Sequence, residues 1–303
     1  MKLHAGWYLA AFVADGENAI SPVHIGDRSL MLVHDNGTAR AFDAVCPHRG
    51  ANLAYGGRLE RNCVICPFHG KAITLGEVSE PRLGVREYPC LTLGPLVFVR
   101  VDDEANGDRG FVQTMQQYAQ DRTFFAGSEA PLAVAPEYIV ENAFDVAHFT
   151  AVHRVPRVQM DLAETEMGEL VIDGHMEYVA GRWVRGSEGQ RIRNRFHARA
   201  YSPTVVVSEV GEPPDFHLVI TGAVPTPTGC VIRIGYAVSP EEPGGAVSDA
   251  RISALIQGGE RALAEDTVVW EHLDTCVPAR YDKRDGPVLE FRRFCDQFPM
   301  AAP

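Results

Sequence analysis

Several features are scarce or missing in this chain of 303 residues, and each absence removes a class of protein. No apolar run approaches the roughly 20 residues that span a bilayer. Met1-Lys2-Leu3-His4 opens no secretory leader, so a cytoplasmic protein without a membrane partner is expected. Cysteine is sparse: seven residues at irregular spacing, an odd number, suit a reducing compartment rather than a disulfide framework. Positive charge is in deficit, with 28 Lys and Arg against 40 Asp and Glu, and the resulting net charge of −12 argues against a nucleic-acid partner. No G-x-G-x-x-G stands between a strand and a helix, so the chain does not collect hydride from NAD(P)H by itself. What the composition does offer is 46% hydrophobic residues over a length that exceeds one ordinary core, enough for two domains.

Four residues carry the first chemistry. Cys46-Pro47-His48 and Cys66-Pro67-Phe68-His69 form two metal-ligand pairs, each with one thiol and one imidazole. Two thiolates suit one ferric iron, and two neutral imidazoles on the other raise a cluster's potential above that of an all-cysteine cluster. Zinc also accepts Cys2His2 sets. Zinc fingers, however, place both cysteines before both histidines, whereas here each half has one of each, followed by Gly50 or Gly70, which lets the ligand loop turn tightly. Cys63 makes a further C-x2-C with Cys66 and reads as a small apolar residue of the strand Asn62 to Ile65.

On these motifs, together with Gly6-Trp7-Tyr8 at the start, Asp43-Ala44-Val45 before the first pair and Ala51 after it, residues 1–110 resemble the Rieske domain of the Rieske non-haem iron oxygenases. Respiratory Rieske proteins carry an extra disulfide-forming cysteine beside each pair, where this chain has Ala51 and Phe68. One departure stands out: the family commonly has Trp after His-Gly, and Lys71 follows here, so shielding or docking at the cluster is expected to differ.

The first third reads as short strands. Ser29 to His34 and Thr38 to Phe42 flank Asp35-Asn36-Gly37, a hairpin signal, and further runs occur at Val64 to Ile65, Cys90 to Leu93 and Leu96 to Val101. A small antiparallel sandwich or barrel follows. The polar stretch 102–108 marks the way out of it, and the boundary is expected near residue 110, with 111–303 as a second domain.

In that second part, Asn142, Asp145 and His148 recur every three residues, so a helix would set them along one side. His153 lies five beyond His148, about 140° around a helix, so both reach one metal only if the helix ends or bulges near Thr150. Two imidazoles and a carboxylate on one face of an iron leave positions for O2 and substrate. The segment resembles the family's mononuclear-iron motif D-x2-H-x4-H. That resemblance implies His148 and His153 as ligands, Asp145 as the carboxylate bridging the two centres, and Asn142 as a supporting neighbour. Glu265-Asp266-Thr267-Val268-Val269-Trp270-Glu271, in a helical stretch from Ser248 to Leu273, resembles the late segment whose aspartate binds iron; Asp266 is the implied third ligand, with Glu265 and Glu271 as fallbacks.

Between these segments the pattern turns to strands: alternation in Gln190 to Phe196, and apolar runs in Thr204 to Val207, Leu218 to Ile220 and Cys230 to Ile234. The expected class is α+β, an all-β Rieske domain followed by a helix-grip domain in which an antiparallel sheet carries the iron helix and the late helix on one face. A pocket lined by Phe149, Phe216, Leu218 and Ile220 would lie between. Arg191, Arg193 and Arg195 share one strand face, near Arg182, Arg185 and Arg199; this is either a solvated outer face or a basic strip that attracts an acidic electron donor. The resemblance implies a 2Fe-2S cluster, Fe(II), NAD(P)H used through a separate reductase with or without a ferredoxin, a head-to-tail homotrimer, and oxidation of a small, largely apolar organic molecule with O2. Monooxygenation is favoured. The competing reading is an electron carrier whose second domain only binds a partner.

Overall fold

The computed structural model describes residues 3–13, 19–35, 37–76, 83–101, 107–163, 165–179, 189–213, 216–241 and 244–299. Strands dominate the N-terminal third: β1 (Gly6–Phe12), β2 (Ile20–Ile25), β3 (Arg28–Asp35), β4 (Thr38–Asp43), β5 (Arg58–Glu60), β6 (Cys63–Ile65), β7 (Ala72–Leu75), β8 (Gly84–Val85), β9 (Glu87–Tyr88), β10 (Cys90–Leu93) and β11 (Leu96–Val101). They form three small sheets, ordered β1-β11-β10, β2-β3-β4-β9 and β5-β6-β7-β8. The expected hairpin is there: Asp35 pairs with Thr38 across the turn that contains Gly37. Cys46 and Cys66 belong to the apolar layer formed by Met31, Phe42, Leu53, Val64 and Ile73, so the two thiols are rooted in packed core.

The C-terminal part runs α1 (Phe111–Tyr118), β12 (Thr123–Leu132), α2 (Pro136–Glu141), α3 (Val146–Ala151), β13 (Arg157–Ala163), β14 (Leu170–Val179), β15 (Arg191–Ser202), β16 (Val205–Val210), β17 (His217–Thr226), β18 (Gly229–Val238), α4 (Asp249–Trp270) and α5 (Gly286–Cys295). Strands β13 to β18 form an antiparallel meander, and β12 closes the far edge beside β18. Both faces of this sheet are buried. One receives the N-terminal domain and α1: Leu218, Ile220, Val207 and Tyr201 pack with Trp7, Leu9, Phe98 and Phe111. The other receives the helices: Phe196, Ala198 and Val206 pack with Phe144, Phe149 and Phe291, and Ile234 and Tyr236 pack with Ile256 and Leu263 of α4. Ser202 and Thr204 hydroxyls both donate to the Trp7 carbonyl, at 2.7 and 2.8 Å, and fix the two domains to each other.

This layering corrects the expected pocket lining. Phe149 is on the helix side, but Leu218 and Ile220 face the N-terminal domain, and Phe216 packs at the edge of that same layer. Successive strand residues alternate sides, so the helix-facing positions of β17 are His217, Val219 and Ala223.

The basic strip is also reorganised. Arg195 pairs with Asp173 at 2.7 Å, His197 sits 2.8 Å from the same carboxylate, and Arg199 donates to His197 at 2.9 Å. Glu209 lies 3.9 Å from both arginines and accepts from Tyr118. The inner half of the strip is therefore a charge-compensated network, Arg191 lies 3.7 Å from Glu177, and Arg193 is exposed. Arg182 and Arg185 lie outside the described residues.

Candidate metal centres

The first site is built from two loops with one hydrogen-bond plan. In the loop after β4, Gly50 N–H donates to the Cys46 carbonyl at 2.9 Å and Cys46 N–H to the Ala51 carbonyl at 2.8 Å. In the loop after β6, Gly70 donates to Cys66 and Cys66 to Lys71 at the same distances. Both glycines, four residues past the cysteine, adopt left-handed φ, 73° and 66°, which a side chain would strain. The unequal spacings Cys-x-His and Cys-x2-His are thus two positions on one turn. They bring His48 and His69 ring centroids to 4.9 Å, nearly edge-on at 79°.

The two thiols are each 2% exposed and hydrogen-bonded to each other. Burial raises the Cys46 thiol above its ordinary value. Burial opposes the Cys66 thiolate too, but N–H groups of Phe68 and His69, together with Cys46, bring Cys66 below its ordinary value. Backbone N–H groups of His48 and Arg49 donate to Cys46 in the same manner. His48 is held below the usual imidazole range by desolvation, then by the charges of Lys71, His69 and Arg49. Its Nδ1 is buried with no protein partner. An orphaned imidazole nitrogen together with two amide-cradled sulfurs fits a small metal–sulfide group with two Cys and two His ligands. Lys71, where the family commonly has Trp, adds a positive charge beside His48.

The second site differs locally from the expected helix. Asn142, Asp145 and His148 do not ride on one continuous helix: α2 stops at Glu141, Asn142 is its C-cap, and a turn leads to Asp145, which starts α3. The Asp145 carboxylate accepts from the N–H groups of Ala147 at 3.0 Å and His148 at 3.2 Å, satisfying donors that a helix start leaves open. The Asn142 carbonyl accepts from Asp145 N–H at 3.3 Å. After α3 ends at Ala151, next to the expected irregularity, Arg154 takes a left-handed φ of 54° and reverses the chain, and Val155 N–H returns to the Phe149 carbonyl at 2.9 Å. That reversal sets the His153 ring 5.0 Å from that of His148.

Asp266, from the half-buried face of α4, completes the group: the ligand atoms of His148, His153 and Asp266 all lie within 4.8 Å of one another. His153 Nε2 is 3.2 Å from Asp266 Oδ1, close to the roughly 3 Å between neighbouring ligand atoms on one metal at bond lengths of about 2.1 Å. Glu265, a fallback ligand on sequence grounds, instead sits 3.0 Å from His153 Nδ1, the nitrogen pointing away from that group. Glu271 is the exposed C-cap of α4. His148 Nδ1 donates to the Asp145 carbonyl at 2.5 Å. Burial lowers the His148 imidazole. Burial also works against charge on His153, yet Asp266 and then Glu265 overcome it and raise this group. Two carboxylates that favour positive charge, with two oriented imidazoles, fit a divalent iron.

Comparison with known proteins agrees with both sites. Residues 6–84 match the Rieske [2Fe-2S] domain and residues 103–298 the 3-ketosteroid 9alpha-hydroxylase C-terminal domain. A probable 3-ketosteroid-9-alpha-monooxygenase, oxygenase component, of Rhodococcus rhodochrous is 23% identical over 97% of this chain and 79% of its own length. Cholesterol 7-desaturase of Hemicentrotus pulcherrimus is 29% identical, over 43% of this chain and 30% of that protein. Among solved structures, dicamba monooxygenase superposes with a TM-score of 0.74 at 18% identity, covering 97% of both chains, and NdmB of Pseudomonas putida CBB5 with 0.67 at 18% identity, covering 95% and 89%. The chain belongs to the Rieske oxygenases whose C-terminal part is the 3-ketosteroid 9alpha-hydroxylase domain. It is an O2-dependent oxidoreductase with a Rieske [2Fe-2S] domain, and His148, His153 and Asp266 form a second, separate group of metal-ligand type.

Proposed function

We infer that the chain gathers electrons at its cluster loops and spends them on O2 beside an apolar substrate under α4. The observation that carries this reading is the convergence of His148, His153 and Asp266, from α3, the loop after it and a distant helix, on one set of donor atoms. Cys46 and Cys66 hold one iron of the cluster and His48 and His69 the other; His148, His153 and Asp266 hold Fe(II). When bound, these groups supply single-electron storage and O2 activation respectively. The surrounding residues orient the ligands: Glu265 accepts a hydrogen bond from His153 Nδ1–H, the Asp145 carbonyl accepts one from His148 Nδ1–H, and each ring is left with Nε2 for the metal. Asn142 steadies Asp145 from the C-cap of α2.

Asp145 is assigned the link between centres. Its helix cap uses Oδ1, so Oδ2 remains for an imidazole N–H of His48 or His69. A ring of three, each copy's cluster loops against the next copy's α3 and α4, would bring them together and cover two apolar patches: Val45, Tyr55 and Phe68 around the cluster loops, and Val268, Val269, Leu273 and Val277 at the end of α4. Within each copy a cluster domain reaches to about residue 110 and an iron domain follows. A separate reductase drawing on NAD(P)H, with or without a ferredoxin, supplies the electrons. No described helix is long and apolar enough to cross a membrane, and the cytoplasm is the proposed location.

Monooxygenation, as hydroxylation or demethylation, is favoured over ring dihydroxylation, supported by the C-terminal family and by relatives named as monooxygenases. The test is oxygen uptake with NADH and a surrogate reductase over a panel of medium-sized apolar molecules, 3-ketosteroids included, with mass analysis of products. Substrate-dependent uptake with one added oxygen atom, or with loss of a methyl group, supports the reading. Cluster reduction without uptake on any member of the panel favours a carrier.

A further inference from the structure

β17 lies between β16 and β18, and its even-numbered side chains are packed on the N-terminal domain. On the helix side, however, His217, Val219 and Thr221 are only half-buried. With strands on both flanks and a domain behind, that accessible surface opens beneath α4, whose facing residues Ile252, Leu255, Ile256 and Leu263 are half-buried as well. Sheet and helix therefore pack together yet leave accessible surface on both facing sides, and the two ends of this layer differ.

At one end is the iron site. Phe149 sits 4.2 Å from the His148 ring and 6.1 Å from the His153 ring, and 5.4 Å from Phe196 on β15. Strand register places Phe196, Val210 and His217 side by side on β15, β16 and β17. Two strand spacings, about 10 Å, separate Phe196 from His217. Above His217 is Arg251 in the first turn of α4, about four helical turns from Asp266.

Between the two ends the side chains are mostly apolar, with Thr221 the other polar residue of β17 on this side, and His217 is the titratable one. Its imidazole has no hydrogen-bond or ion-pair partner among the described residues. Burial, and secondarily the charge of Arg251, lower it to about 4, so at neutral pH the ring is uncharged and offers one N–H donor and one acceptor. Arg251 donates to the Ser239 carbonyl at 2.8 Å and makes this end unfavourable for a cationic group. A deeply placed polar ring with no protein partner is costly unless something else supplies the hydrogen bond.

We propose that His217 is a specificity-determining residue that anchors a carbonyl or hydroxyl oxygen on an otherwise apolar substrate, roughly 10 Å or more from the carbon that faces the iron site. The inference rests on the oxygenase reading of that site. It commits to an elongated neutral molecule with oxygen at the end remote from the carbon being oxidised.

Equilibrium binding tests it without turnover. Iron- and cluster-replete protein, anaerobic and without reductant, is titrated calorimetrically with a 3-ketosteroid and with the matching steroid hydrocarbon that lacks the oxygen. The wild type is expected to favour the ketone about tenfold. His217→Phe and His217→Leu should bring the two ligands to within about twofold, and His217→Gln, which keeps a donor, should retain a preference. A wild-type protein that binds neither ligand or both equally, or a preference that survives both apolar substitutions, overturns the proposal. Failure of the oxygenase reading shows separately, as absent oxygen uptake with the binding preference intact.

Discussion

Each iron-site imidazole spends one nitrogen on the protein so that the other is fixed in direction, and the partner differs between the two. His148 uses a carbonyl one turn back, a local contact that forms with α3 itself. His153 uses Glu265, which arrives from α4, and so depends on the tertiary fold. Glu265→Ala should therefore weaken iron binding about 10- to 100-fold while sulfide content stays at the wild-type level, and Glu265→Gln should recover part of the loss, read by equilibrium iron titration. His217 gives a pH prediction. Its folded value of about 4 lies below the ordinary 6.5, so between these values the unfolded chain binds the extra proton. Stability from this group is then complete above about pH 6.5 and falls as pH drops towards 4, by up to about 3 kcal/mol. Chemical unfolding of wild type and His217→Leu between pH 7 and 4 should show a shallower acid slope in the variant.

At the level of elements, local chemistry made much of the molecule readable. The Asn-Gly hairpin, the strands of the ligand loops and the late helix follow from turn residues and periodicity, and the matching role of Gly50 and Gly70 was visible in their place after each ligand pair. Three features were not readable. The i, i+3 spacing of Asn142, Asp145 and His148 suits a helix, but Asp145 is a stronger N-cap than a mid-helix residue, and its carboxylate starts a new helix instead. The face of β17 differs from expectation because its most apolar positions, Leu218 and Ile220, meet the N-terminal strands rather than the helices, which leaves His217, Val219 and Thr221 on the helix side. The Glu265 contact is hidden because it is tertiary: its partner His153 is 112 residues away. A close approach in α4 is testable. A Cβ on Gly259 would stand 1.7 Å from the Tyr236 hydroxyl, which is stacked on Phe125. Gly259→Ala, normally worth up to about 1 kcal/mol of helix stability, should instead lower the melting temperature, and adding Tyr236→Phe should restore part of it.

For the whole molecule, the two domains share a core, yet the cluster loops and the end of α4 each leave apolar side chains in solvent. Phe68 is 60% exposed and Val268 63%. On the proposed ring of three, Phe68→Asp or Val268→Asp should lower the sedimenting mass to that of one chain and abolish substrate-dependent oxygen uptake, while each chain keeps its iron and sulfide. Co-assembling a His69→Ala chain with an Asp266→Ala chain should restore part of the activity, because each supplies the centre that the other lacks across a shared boundary. Beneath all of this lies one claim, that a single chain holds two separate iron centres. Iron and acid-labile sulfide analysis of wild type and Asp266→Ala tests it directly. About three irons and two sulfides per wild-type chain, with one iron and no sulfide lost in the variant, is the predicted result; about two irons in both proteins would contradict it.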